Sequence, residues 1–133
     1  MGGFCFRGDR NAVTWWEASE RCKVLNAYLI EPRNAELNTI AKNNFIGVWM
    51  GASDTKLEGN WIWSTTSETL TYTAWGKDQP NNAEGDQDCL VMQNNALWGD
   101  FQCDTTRPYV CQMGRRKYYV STVPFLFILS LMN

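Results

Sequence analysis

Apolar positions in the first part of the chain recur at helical spacing, and later ones fall into the short runs typical of strands. Trp15, Ala18, Cys22 and Leu25 follow steps of three, four and three, which places them on one buried helical face with Cys22 pointing inward. Thr14-Trp15-Trp16-Glu17 opens this segment with a capping box, the threonine oxygen and the glutamate each able to satisfy an orphan amide. A helix is therefore predicted from Thr14 to near Asn26. A second follows, with Asn34 as N-cap, Glu36 in the first turn, Leu37, Ile40 and Ala41 as the apolar face, and Asn43-Asn44 as the stop. After Phe45 the aromatic and β-branched runs at 48–52, 61–63, 70–75, 89–93 and 108–112 predict strands. Trp49, Trp61, Trp63 and Trp98 sit in or beside such runs and are expected in the core. Residues 76–88 (GKDQPNNAEGDQD) are polar, rich in side-chain oxygen and too long for a hairpin turn; loops of this kind carry function.

Composition narrows the classes. A chain of 133 residues, 44% hydrophobic and 14% aromatic, has room for one domain with a real core. A net charge of −2 without a basic stripe argues against nucleic acid. No histidine is present, which removes the commonest general base, the usual activator of a nucleophilic serine or cysteine, and the commonest catalytic zinc ligand. Binding, not catalysis, is the expectation. Cys5, Cys22, Cys89, Cys103 and Cys111 lack zinc-type C-x-x-C spacing, so they read as two bridges and one leftover thiol in an oxidising, extracellular compartment. No apolar secretory segment precedes Phe4, which suggests a truncated or recombinant start to a secreted protein.

Two further stretches invite functional readings. Arg7-Gly8-Asp9 spells an integrin-recognition tripeptide, expected in a turn before the first helix; glycine and aspartate in a turn need no other explanation. Residues 114–133 form a basic, then apolar tail that falls short of the ~20 residues needed to cross a bilayer, and it only partly matches a lipid-anchor signal. The expected domain is therefore 1–113, with 114–133 outside it and no membrane anchor.

Over roughly residues 4–113 the chain resembles the C-type lectin family. The resemblance rests on Trp49-Met50-Gly51-Ala52-Ser53-Asp54, Glu58-Gly59-Asn60-Trp61-Ile62-Trp63, Gln79-Pro80-Asn81, Asp88-Cys89, Trp98-Gly99-Asp100, Cys103 and Cys111, in that order. Its flavour is that of secreted invertebrate lectins of the perlucin-like kind. The resemblance implies an α+β fold of two helices, two small antiparallel sheets and a long polar binding loop. It also implies bridges Cys22–Cys111 and Cys89–Cys103, each contributing on the order of 2 to 4 kcal/mol, and leaves Cys5 without its upstream partner.

What the family does implies a site. Its principal calcium ion is held by an X-Pro-X tripeptide, a glutamate before the third bridge cysteine and the Asn-Asp of Trp-Asn-Asp; these fall on Gln79, Asn81, Gln87, Gly99 and Asp100. Gln87 replaces the glutamate and Gly99 the asparagine, so Asp100 is the one assured anion and a weak site is expected. The auxiliary calcium site falls on Asp54, Glu58 and Asp88, with Asn82 and the Gln87 carbonyl as neutral ligands, although Asp54 and Glu58 could equally cap turns. The implied function is recognition of microbial or self surface glycans through Gln79, Asn81, Gln87 and Asp100. Because Gln79 and Asn81 are both amides that donate and accept, sugar choice is open, with a mild preference for mannose, fucose or N-acetylated sugars. The alternative is a lectin-like domain that binds protein or a mineral surface without sugar or calcium.

Overall fold

The computed structural model of the chain describes residues 3–114; the tail from 115 to 133, with its basic and apolar runs, lies outside the described residues. In chain order the elements are β1 (Phe4–Val13), α1 (Trp15–Val24), β2 (Tyr28–Leu29), α2 (Ala35–Asn44), β3 (Val48–Ser53), β4 (Ile62–Trp63), β5 (Gln87–Met92), β6 (Trp98–Gln102) and β7 (Arg107–Gly114). A single 3₁₀ turn at Ala83–Gly85 interrupts the long loop before β5.

Both helices start where their caps place them. The Glu17 amide donates to Thr14 Oγ1 at 3.2 Å, and the Leu37 amide donates to Asn34 Oδ1 at 2.9 Å, each satisfying an N–H that has no intrahelical acceptor. In α1 the buried residues are Trp15, Ala18 and Cys22, while Leu25 has become the C-cap and is exposed. The chain turns at Asn26, whose φ of 56° is left-handed, and the Ala27 amide closes the end on the Cys22 carbonyl. In α2 the core-facing places go to Asn38 and Ala41, with Leu37 and Ile40 only half-buried. A polar residue can sit there because Asn38 Oδ1 accepts the buried Trp98 indole N–H at 2.9 Å.

The strands form one path, β1-β7-β3-β5-β6, with β2 attached to β7 and β4 to β3. Between the named strands all pairings are antiparallel except one parallel contact, Trp49↔Tyr109, and that contact joins what would otherwise be separate antiparallel sheets. The run at 70–75 is not a strand. Its backbone makes one isolated bridge, Trp75↔Trp98, and a second, Ile62↔Thr69, falls just before it, while Leu70, Tyr72, Ala74 and Trp75 pack against the core. Aromatic composition there serves packing and not pairing. Conversely β1, β2 and β6 were not expected. In β1, Arg7, Gly8 and Asp9 pair with Cys111, Val110 and Tyr109, so the tripeptide lies within a strand and not in a turn.

Two clusters make the core. One gathers Val13, Trp15, Ala18, Cys22, Trp49, Val91, Tyr109 and Cys111 under α1. The other packs Met50, Trp61, Trp63, Leu90, Met92, Trp98 and Val110. Trp49, Trp61, Trp63 and Trp98 are all buried, and Trp98 receives Trp63, Tyr72 and Trp75 edge-on. Bridges join Cys22 to Cys111, across 89 residues, and Cys89 to Cys103, across 14, while Cys5 is free and exposed. The first ties α1 to β7; the second ties β5 to the end of the β5–β6 hairpin that carries the loop residues described next.

Candidate functional site: a self-bonded loop and an acidic cluster

The long loop folds back over Asp100, a β6 residue whose side chain is almost wholly buried. Asp100 Oδ1 accepts the Asn81 amide at 3.0 Å and Oδ2 accepts the Asn82 amide at 2.6 Å, while Gln79 Oε1 accepts the Asp100 amide at 3.4 Å. The peptide between Gln79 and Pro80 is cis. Past the tripeptide, Asn81 Oδ1 and Gln87 Oε1 share the Ala83 amide at 3.1 and 3.2 Å, and Asn82 Oδ1 accepts the Gln87 amide at 3.1 Å. Gln79, Asn81, Asn82, Gln87 and Asp100 therefore meet in one cluster, but each offers its side-chain oxygen to a backbone N–H of the same site. Asp86, the nearby spare anion, accepts Gln102 Nε2 on both oxygens at 3.0 Å. Gln102 is a residue the sequence does not single out; its role follows from the register Gln87↔Gln102.

Gly99 brings no side chain to this cluster. A Cβ built on it would meet Gln93 Cδ at 2.8 Å and Phe101 Cε2 at 3.0 Å, and strand alternation turns that direction away from Asp100. Its backbone is not left-handed, so crowding, and not φ, is what favours glycine here.

A second cluster lies beside the first. Asp54 follows β3, Glu58 stands in the turn that ends at Gly59 (φ 85°), and Asp88 is on β5. The Asp54 amide donates to the Asp88 carbonyl at 3.1 Å, which fixes the two chains together. One carboxylate oxygen from each of Asp54, Glu58 and Asp88 lies within 4.8 Å of the others. Asp54 Oδ2 accepts the Gly59 amide at 2.8 Å, but Asp54 Oδ1 and Asp88 Oδ1 are buried with no hydrogen-bond partner. Burial raises the pKa of Asp54 above 3.8, with Glu58 adding repulsion. Burial likewise raises Asp88, reinforced by Asp54. Orphaned carboxylate oxygens facing one another are costly without a cation, and hard oxygen donors of this kind suit calcium.

The family model of the Lectin C-type domain matches residues 11–113. The chain belongs to the C-type lectin domain family. Among individual relatives it is 31% identical over 117 residues to a perlucin-like protein of Mytilus galloprovincialis, spanning 80% of this chain and 74% of that one. It is 28% identical over 130 residues to perlucin of Haliotis laevigata, spanning 85% and 83%. Among solved structures it is similar to the cow CD23 carbohydrate-recognition domain determined with a GlcNAc2Man3 oligosaccharide, at a TM-score of 0.81 and 25% identity over 88% and 92% of the two chains. It is also similar to a calcium-independent type II antifreeze protein, at a TM-score of 0.77 and 26% identity over 86% and 88%. Neighbours of one fold thus include a sugar-binding domain and one described as free of calcium dependence, so the chain's own residues must decide between such roles.

Proposed function

We propose that this domain is a secreted glycan-binding lectin whose loop Gln79-Pro80-Asn81, with Gln87 and Asp100, meets the sugar, and whose calcium sits at the Asp54, Glu58 and Asp88 cluster. The pair of buried, unpartnered oxygens on Asp54 and Asp88 carries the calcium assignment. When bound there, calcium supplies positive charge that neutralises three carboxylates and braces the root of the binding loop. The chain's own residues do the rest. Asp100 holds the backbone of Asn81 and Asn82, which presents the Gln79 and Asn81 amides at the loop surface, where each can donate and accept toward sugar hydroxyls. The Asp54–Asp88 main-chain bond couples the acidic cluster to β5 and so to Gln87.

Glycan binding by this route is weak, because one carboxylate and oxygens already engaged by their own backbone make a poor principal metal site. A glycan array of mannose, fucose, N-acetylglucosamine and galactose ligands, run on wild type and on Gln79→Ala/Asn81→Ala, tests it. Binding lost in the double variant supports the reading, and binding unchanged by it removes the loop from the sugar.

One observation favours a second reading, a lectin-like domain that binds protein or mineral without sugar or calcium. The loop is hydrogen-bonded to itself, from Asp100 through Ala83 to Gln87, so it holds its shape without a principal ion. An array with no glycan bound, in calcium and in chelator alike, selects this alternative.

A further inference from the structure

Arg107 opens β7, and among the described residues it is a cation without an anion. Its guanidinium carbon stands 4.1 Å from the centroid of the Phe101 ring and 5.7 Å from that of Trp49. The side chain is half-buried, and its Nε is fully covered with no hydrogen-bond partner. Among the described residues the ion pairs are Lys23–Glu20, Arg33–Glu31 and Arg33–Glu68, and none includes Arg107. Burial alone pulls its pKa down, with no acidic neighbour opposing it. A guanidinium stays charged regardless, and a desolvated charge without a counter-ion is expensive even when aromatic faces return part of the cost.

The guanidinium borders a recess of about 340 Å³ lined by Gln93, Asn94, Asn95, Phe101 and Arg107. No carboxylate contributes to that lining. Asn95 Oδ1 accepts the Leu97 amide at 3.0 Å, which leaves Asn95 Nδ2 to donate elsewhere. Gln93 Nε2 is committed to the Leu97 and Trp98 carbonyls, which leaves its Oε1 for a hydroxyl. Asn94 and Asn95 are exposed at the rim. A fixed cation beside neutral amide donors is the donor set that recognises an oxyanion, because charge-assisted bonds from guanidinium dominate and the amides add direction. Phe101 follows Asp100 on β6, and alternation along the strand sends the two side chains to opposite faces, so the recess and the glycan loop lie on opposite faces of the β5–β6 hairpin.

We propose that the Arg107 recess is a second binding site, for a small oxyanion: a sulfate ester or carboxylate borne by a saccharide, or the same group as a free ion. It requires no calcium and stands whether or not the loop at Gln79 binds sugar. The test is a calorimetric and NMR titration of the 133-residue chain, in chelator, with a 4-sulfated N-acetylgalactosamine disaccharide, its desulfated counterpart and inorganic sulfate. The sulfated disaccharide is expected to bind at least tenfold more tightly than the desulfated one. Arg107→Gln should lose that difference. Asn95→Asp, at an exposed position where the new carboxylate still accepts the Leu97 amide, should lose it too by placing a counter-charge in the recess while Arg107 stays on its rings. Inorganic sulfate bound as tightly as the sulfated sugar, with the same dependence on Arg107, supports the site and assigns it to free anions. Sulfated and desulfated disaccharide bound alike with no Arg107-dependent sulfate binding, or folded Arg107→Gln and Asn95→Asp proteins that both bind as wild type, would overturn the proposal.

Discussion

The loop around Asp100 and the cluster around Asp54 both gather side-chain oxygens, one carboxylate among amides in the first and three carboxylates in the second, and they solve opposite problems. At Asp100 each carboxylate oxygen meets a backbone amide. At Asp54 and Asp88 one oxygen each is buried with nothing to meet. The first is a closed arrangement in which the carboxylate does the work a metal would do, holding two strands of chain together. The second is open, with two buried carboxylate oxygens that no protein donor meets. The acidic count already separates them, one against three, and where the lone pairs go says why the difference matters.

The comparison is most sharply broken at Asp100. Asp100→Ala leaves the part-buried Asn81 and Asn82 amides without their acceptor, and two bonds to a charged acceptor, each worth about 1.5 to 3 kcal/mol when buried, come to about 2 to 4 kcal/mol once water can reach the freed amides. Thermal or urea unfolding without calcium should show a loss of that size, whereas a loss below about 0.5 kcal/mol would mean that the loop is not held this way.

Next in size is the calcium effect. Asp54→Ala removes one of three carboxylates, which should weaken calcium by at least about tenfold. Calorimetry checks this, and an affinity equal to wild type would contradict the assignment.

A smaller effect sharpens the same contrast through pH. Asp54 and Asp88 have folded pKa values raised above 3.8, chiefly by burial. The folded protein therefore holds these protons more tightly than the unfolded chain does. Their contribution to stability is present at low pH and is lost as pH climbs from about 3.8 through the raised values. In calcium-free buffer Asp54→Asn/Asp88→Asn should lack this decline, so that the double variant matches or exceeds wild type at neutral pH by up to about 1 kcal/mol. Added calcium should reverse the ranking. Denaturation series between pH 3 and 7, with and without calcium, read both signs.

The smallest expected effect lies at Gln87. Gln87→Glu adds a charge beside Asp100 and keeps an oxygen for the Ala83 amide, so stability should shift by no more than about 0.5 kcal/mol. Sugar affinity should acquire a modest dependence on calcium. Pairing it with Gly99→Asn is not expected to help, since the new side chain would run into Gln93 and Phe101.

How much of this was legible in the sequence depends on whether the signal was local. The capping residues Thr14 and Asn34 announce both helices because an N-cap acts within one turn. Motif order carried the resemblance to C-type lectins, and the buried tryptophans were legible from their place in or beside apolar runs. β1 was invisible because its burial is mostly exposed and does not alternate; pairing with β7, not periodicity, makes it a strand. The run at 70–75 misled for the converse reason, its aromatic side chains filling core while its backbone stays largely unpaired. Asn38 was passed over on α2 since nothing local shows that Trp98, 60 residues away, supplies the donor it needs. At the site, the residues gathered by the loop could be named in advance. That their oxygens would be spent on one another could not, because it depends on how residues 79–87 fold over β6.

Calcium calorimetry on wild type, Asp54→Asn and Asp100→Asn bears most directly on the central claim. With the acidic cluster as the ion's seat, wild type should bind calcium, Asp100→Asn should bind it within about threefold of wild type, and Asp54→Asn should lose at least about tenfold. Calcium binding that survives Asp54→Asn and disappears in a folded Asp100→Asn protein would contradict the account.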